Sequence, residues 1–223
     1  MTAIGPALLH LTSDVAASVR ADFDRWSEEH LRGNLGLPGF LSARRLARSA
    51  SWPGAGTSME FLTLFQLENP DALVSEAYAR RDGSVPEAFL PHLRFQRSVF
   101  RELDPVASPG DYATGPAIFQ VVIQVDAGFE DDFQRWYAGE HVPTVLTTPG
   151  MLGVRQFVRI DDPAGLGLPS QPYTRLAIFE MEDVGVIAKP ESLQAAQATP
   201  CPTELNRRRT VSHHVFEEFF SAP

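Results

Sequence analysis

Cysteine is nearly absent: Cys201, between two prolines in ATPCPTE (198–204), is the single one in 223 residues. One thiol excludes an internal disulfide and a cysteine-based zinc site, and this one reads as a loop bystander. Cations are scarce too, with 19 Lys and Arg against 28 Asp and Glu and a net charge of -9. No basic run offers a stripe for phosphate backbones, so a nucleic-acid partner is not expected. No stretch reaches the roughly 18 apolar residues of a membrane span. The opening MTAIGPALLHLTSD lacks a basic leader, and the expectation is a soluble chain in the reducing cytoplasm, with no membrane partner. Neither a Gly-rich phosphate loop after a strand nor a Gly-x-Ser-x-Gly elbow occurs, so nucleotide cofactors and acyl-enzyme hydrolysis lack their signatures.

What the chain does have is a sentence written twice. Residues 23–39 read FDRWSEEHLRGNLGLPG and residues 133–150 read FQRWYAGEHVPTVLTTPG. Each runs Phe-x-Arg-Trp, then Glu-His, then Pro-Gly eight residues after the His. The 43% hydrophobic content and 15 Phe supply a substantial interior. A repeat of this length governs the fold, because each copy must be one structural unit.

Alternating apolar segments at 6–15 and 117–126 predict first strands, and polar stretches at 15–31 and 128–141 predict helices. Their buried faces carry Val19, Phe23, Trp26 and His30 in one copy and Phe133, Tyr137 and His141 in the other. After Pro-Gly, second strands are expected at 40–49 and 151–160, with Arg44 and Arg155 in matching places. Loops rich in Gly and Pro follow at 50–58 and 161–172, then third strands at 60–69 and 174–183. Second helices are expected at 71–82 and 190–198, and fourth strands at 95–103 and 209–219 share Val-Phe-x-Glu. Each half is thus β-α-β-β-α-β, the ferredoxin-like order, with a four-stranded antiparallel sheet and both helices on one face. The bare apolar face needs a second sheet, so an α+β fold follows: two tandem ferredoxin-like modules packed sheet to sheet as a barrel, helices outside. The expected modules are residues 1–104 and 117–223, with the Pro- and Gly-rich 105–116 as linker.

Two copies of aromatic, Glu-His and Pro-Gly within this order resemble the dimeric α+β barrel superfamily, especially its EthD-like branch. WYAGEHVPTVLTTPGM (136–151) fits the branch's phrase closely, whereas the first copy departs from it at Ser27 and Arg32. The resemblance therefore directs attention to the second module. It implies a ligand pocket within one module, between helices and sheet. Similar folds include cofactor-free monooxygenases, polyketide cyclases, decarboxylases, dehydratases, muconolactone isomerases and haem-binding enzymes, so the fold by itself names no reaction.

His141 and His30 are the candidate catalytic acids or bases, since imidazole changes charge near neutral pH and an apolar pocket lowers its pKa. The bland alternative is a histidine that caps carbonyls and holds the turn before Pro-Gly. Tyr137 is placed to hydrogen-bond a substrate oxygen, while Trp136 and Trp26 either wall an aromatic ligand or are plain core. Arg155 and Arg44 either clamp an acidic group or are solvated strand-edge charges. Glu29 and Glu140 adjoin their histidines but point about 100° away from them on a helix. His213 and His214 fall on opposite faces of a strand, no metal site is expected, and nothing selects haem or another cofactor.

The leading expectation is a cofactor-independent enzyme of small-molecule metabolism, of the dehydratase, decarboxylase, isomerase or cyclase type, acting by proton transfer on an aromatic or polyketide-like substrate. The alternatives are a non-catalytic small-ligand-binding or stress-associated barrel and a cofactor-free monooxygenase. One chain supplies both sheets, and further pairing into a homodimer is compatible with it.

Overall fold

The computed structural model describes residues 4–52, 59–81, 84–103, 113–166 and 168–223. The expected linker therefore falls largely outside the described residues, as does most of the loop at 50–58. In the first half, β1 (Ala7–Val15), α1 (Arg20–Leu35), β2 (Phe40–Arg48) and β3 (Phe61–Leu67) are followed by α2 (Glu76–Arg80) and β4 (Leu93–Glu102). In the second, β5 (Ala117–Val125), α3 (Glu130–Trp136), α4 (Val142–Val145), β6 (Met151–Ile160) and β7 (Arg175–Met181) precede α5 (Pro190–Ala198), α6 (Thr203–Arg207) and β8 (Arg209–Ala222). None of the described helices is long and apolar enough to cross a membrane.

The strands close into one antiparallel barrel in the order β1-β3-β2-β8-β5-β7-β6-β4. Each half contributes the ferredoxin-like order 4-1-3-2, and the halves join edge to edge rather than only face to face. Six residue pairs link β2 to β8, from Ala43↔Ala222 to Arg48↔Phe216, and four link β4 to β6, from Val99↔Ile160 to Glu102↔Phe157. Closure leaves no open sheet edge. Leu8, Leu46, Leu62, Leu64 and Phe100 of one half meet Ile118, Val122, Phe157, Ile178 and Phe216 of the other inside the barrel.

Strand periodicity assigns Arg44 and Arg155 to that same inner face, two residues from Leu46 and Phe157. Each reaches across a seam. Arg44 donates from Nη1 to Glu180 Oε1 (2.7 Å), from Nε to Glu218 Oε2 (2.5 Å) and from Nη2 to the Gly115 carbonyl (2.6 Å). Arg155 donates from Nε to Glu102 Oε1 (2.7 Å), from Nη1 to Gln66 Oε1 (2.7 Å) and from Nη2 to the Gly5 carbonyl (2.5 Å). The two clamps are pseudo-symmetric, with Gln66 in one where Glu180 stands in the other. Glycine is required where they meet the chain: a Cβ on Gly5 or Gly115 would lie 2.0 Å from the carbonyl oxygen of Leu67 or Met181. These arginines therefore hold the halves together through contacts to protein groups.

Two helices differ from expectation. Over the described part of the helix expected at 71–82, residues 71–81 form no continuous helix, because Asn69 and Pro70 start a 3-10 turn (Pro70–Val74) and Ser75, in extended conformation, stops it and caps α2 with its hydroxyl. The helix expected at 128–141 runs on to Val145 through a π-helical turn at Tyr137–His141. Pro143 lacks the N–H that a continuing helix would direct back into this turn, and the Thr144 hydroxyl donates to the Glu140 carbonyl at 2.8 Å.

Arg44→Ala removes the guanidinium from Glu180, which is 3% exposed, and is expected to cost about 3–5 kcal/mol. Adding Glu180→Gln, the residue type of the other clamp, is expected to recover much of that loss. Urea unfolding midpoints measure both, and an unchanged midpoint for Arg44→Ala would remove the clamp from the account of closure.

Candidate functional site

Helix α1 buries Phe23, Ser27, Leu31 and Asn34 against the outer face of the first half's sheet. Between helix and sheet lies a cavity of about 760 Å³. Leu9, Leu11 and Phe65 from the strands, Phe23 and Leu31 from α1, and Leu73 and Tyr78 wall it. Val74, Leu90, Leu166 and Leu168 line it and are exposed, so the rim is apolar as well. Leu166 and Leu168 come from the β6–β7 loop, so the second half supplies part of the lining. Wide apolar walls with a few polar groups are the usual make-up of a small-molecule site.

The cavity lies in the half whose motif departs from the resemblance, where Ser27 stands at the helix position that Tyr137 holds in the other half. Phe23 and His30 are seven residues apart, Phe133 and His141 eight. Five residues overshoot one turn of an α-helix, yet Trp136 and His141 stack at 4.9 Å and 28°, as Trp26 and His30 do four residues apart. The π turn absorbs the extra residue and restores the stack. Tyr137, four residues after Phe133, shares its helix face without help from that turn, stacked on Phe133 at 5.2 Å in a packed cluster with Trp136, Val142, Val145, Val121 and Phe179. Ser27, next after Trp26, has no such bulk and lines the cavity instead.

Polar groups enter the cavity wall as an ordered relay. Arg81 donates from Nη1 to Asn34 Oδ1 (2.5 Å) and from Nη2 to the His30 carbonyl (3.0 Å). With Oδ1 accepting, the Asn34 amide nitrogen faces His30 Nε2 at 3.1 Å. Nε2 is therefore the acceptor, and the ring proton sits on Nδ1. Burial, reinforced by the Arg81 charge, lowers the His30 pKa to about 4, so the ring is neutral at physiological pH.

Two further arginines line the cavity. Arg97 donates from Nε to Asp162 Oδ2 (2.6 Å) and from Nη1 to the Tyr78 hydroxyl (3.3 Å). Arg45 is 1% exposed, with its guanidinium over the rings of Phe23, Phe61 and Phe219 at 5.4, 5.0 and 5.0 Å. Asp24 Oδ1 lies 2.7 Å from its Nη1, but off the N–H direction, and neither Nη1 nor Nη2 has a hydrogen-bond partner. Burial holds the Arg45 pKa below its ordinary value, with Asp24 opposing.

Of the residues singled out from the sequence, His30 and Trp26 come together at this cavity. His141, Tyr137 and Trp136 form their own cluster in the packed second half, where His141 Nδ1 lies 3.2 Å from the Thr199 carbonyl and 3.1 Å from its hydroxyl. Burial lowers the His141 pKa and raises that of Tyr137. Glu29 and Glu140 are exposed. Asn34, Tyr78, Arg81, Arg97 and Arg45 were not anticipated. The spacing of Asn34, one turn beyond His30, was a usable signal, and strand parity separates Arg45 from Arg44. Arg81 and Arg97 arrive from distant segments and carry no local signal.

A haem iron needs an imidazole nitrogen with a free lone pair. His30 does not fit, because Nε2 already accepts from Asn34 and Nδ1 carries the proton. No group of three His, Cys, Asp or Glu side chains among the described residues is placed to hold a metal.

Neither a family model nor a curated protein matches the chain. Solved structures do. An anthrone oxidase-like protein superposes with a TM-score of 0.59 at 10% identity, covering 97% of this chain and 92% of its own. A Fusobacterium nucleatum subsp. nucleatum protein with a provisional monooxygenase name gives 0.54 at 10%, covering 97% and 94%. A chlorite dismutase from Candidatus Nitrospira defluvii gives 0.57 at 11%, covering 96% and 92%. Identities this low speak for the fold alone, and that fold is the dimeric α+β barrel.

The depressed His30 pKa has a definite sign in folding. The unfolded chain takes up its proton near pH 6.5 and the folded chain near 4, so stability is complete above the first value and falls as pH drops toward the second. An imidazole NMR titration is expected to place the His30 midpoint near 4; a midpoint at about 6.5, the free value, would mean that the ring is not desolvated.

Proposed function

We propose that this chain is a small-molecule enzyme that stabilises an enolate or phenolate on an aromatic or polyketide-like substrate held in the first half's cavity, without an organic cofactor. Dehydration beside a carbonyl, decarboxylation of a β-keto acid, isomerisation and aldol closure all pass through such an oxyanion. The observation that carries the reading is His30: neutral, fixed as the Nδ1–H tautomer by Arg81 and Asn34, and set in the wall of an apolar cavity. A pKa of about 4 makes it a weak base, and its role here is to donate Nδ1–H to the oxygen where charge develops, while the proton leaving carbon goes to solvent water or hydroxide. Trp26, stacked on the ring, fixes its plane. The EthD-like phrase at 136–151 supports an enzyme of this type, although the second half it belongs to is packed with side chains.

A second reading rests on one observation. The Trp–His stack has the same 4.9 Å spacing and 28° angle in both halves, including the half whose helix–sheet layer is filled. The repeated phrase then serves folding, and the cavity binds a ligand without transforming it.

Deuterium exchange at the acidic methylene of anthrone in D2O, followed by proton NMR, separates the two readings. Wild type is expected to accelerate exchange, and His30→Ala, with its fold verified by circular dichroism, to lose about 100-fold. Equal rates for the two proteins would take His30 out of the chemistry, and exchange no faster than buffer would favour the binding reading. Oxygen uptake coupled to anthrone loss would indicate a monooxygenase instead.

A further inference from the structure

Arg45 is held in a way that neither the barrel nor the proposed chemistry explains. Three rings cover its guanidinium, it is 1% exposed, and its charge is met by Asp24 Oδ1 2.7 Å from Nη1, yet neither terminal nitrogen has a directed hydrogen bond. A buried donor without an acceptor is destabilising unless something supplies one. The other two arginines of the cavity are engaged, Arg81 with Asn34 and the His30 carbonyl, Arg97 with Asp162 and Tyr78. No carboxylate lines the cavity among the described residues. In the second half the matching pair is neutral and satisfied: Gln134 Nε2 donates to Gln156 Oε1 at 3.3 Å. There Arg175, from β7, donates to Gln134 Oε1 and lies over the Phe133 ring at 6.0 Å, so the second half's cation in this layer has a hydrogen-bond acceptor where Arg45 Nη1 and Nη2 have none.

We infer that the cavity takes an aromatic ligand bearing an anionic oxygen, such as an aryl carboxylate, and that the Arg45 guanidinium edge receives it. The inference rests on the cavity reading above and names the class of ligand for that site. A planar fork suits a carboxylate, and charge-assisted hydrogen bonds are the stronger kind in an apolar surround. Asp24 holds the fork in place when no ligand is present, through charge proximity without a directed bond. The apolar walls take the ring system.

Calorimetric titration with 2-naphthoate and its neutral isostere 2-naphthamide tests this. Wild type is expected to bind the acid at least about tenfold more tightly, one charge-assisted hydrogen bond's worth. Arg45→Gln, the second half's residue, is expected to abolish the difference while leaving the amide unchanged. Asp24→Asn, at a partly exposed position, removes the competing carboxylate and is expected to tighten the acid alone, which keeps the test valid if Arg45→Gln fails to fold. Equal affinities in wild type, a preference that survives Arg45→Gln, or an unaltered acid affinity in Asp24→Asn each overturn the inference. Val74→Trp at the exposed rim tests the cavity itself and is expected to weaken both probes. Indifference of both probes to that change, or no binding of either, overturns the cavity reading, whereas equal affinities that Val74→Trp weakens overturn only the role of Arg45.

Discussion

Two buried arginines at two strand seams are the constraint on which the architecture turns. Backbone pairing joins the halves through six residue pairs at one seam and four at the other, and Arg44 and Arg155 reach across from inside the barrel to acidic groups of the opposite half. A buried guanidinium is costly unless its donors are met. Here the partners come from the other half, so the arginine is satisfied only when the barrel is closed. Gly5 and Gly115 complete each clamp because a side chain there would collide with a carbonyl.

Once the barrel interior is shared and filled, the halves can differ only in the layer between helix and sheet. One equivalent helix position differs in bulk: Tyr137 packs into the second half's core, whereas Ser27 lines the first half's cavity. Open apolar space forfeits packing energy, and the about 760 Å³ between helix and sheet in the first half is space whose filling by a ligand would restore some of it.

The electrostatics of the two layers differ at one pair. Around the cavity stand three arginines and a neutral histidine; at matching places in the second half, Gln134 and Gln156 replace the Asp24 and Arg45 pair, and Arg175 donates to Gln134. A net charge of -9 for the chain gives no hint of this, because arginines at an apolar cavity, even with Asp24 and Asp162 beside two of them, act on a ligand at closer range than solvated carboxylates outside it.

The order of elements was legible in the sequence. Alternation at 6–15 and 117–126, the repeated Phe-x-Arg-Trp and Pro-Gly, and the shared Val-Phe-x-Glu led to eight strands, two ferredoxin-like halves and a barrel, because local periodicity and a repeat are encoded along the chain. His30 and Trp26 were legible for the same reason, sharing a helix face. What the tertiary structure alone decided was which half stays open, where Arg44 and Arg155 point, and how Arg81 and Arg97 join the site. A single extra residue in a helix is visible in the sequence, but whether it is absorbed as a π turn depends on the packing it must satisfy. Arg44 and Arg45 are neighbours of the same type, and one faces the barrel interior while the other faces the cavity. Only the register of the closed barrel, set by partners more than 130 residues away such as Glu180, assigns those two faces.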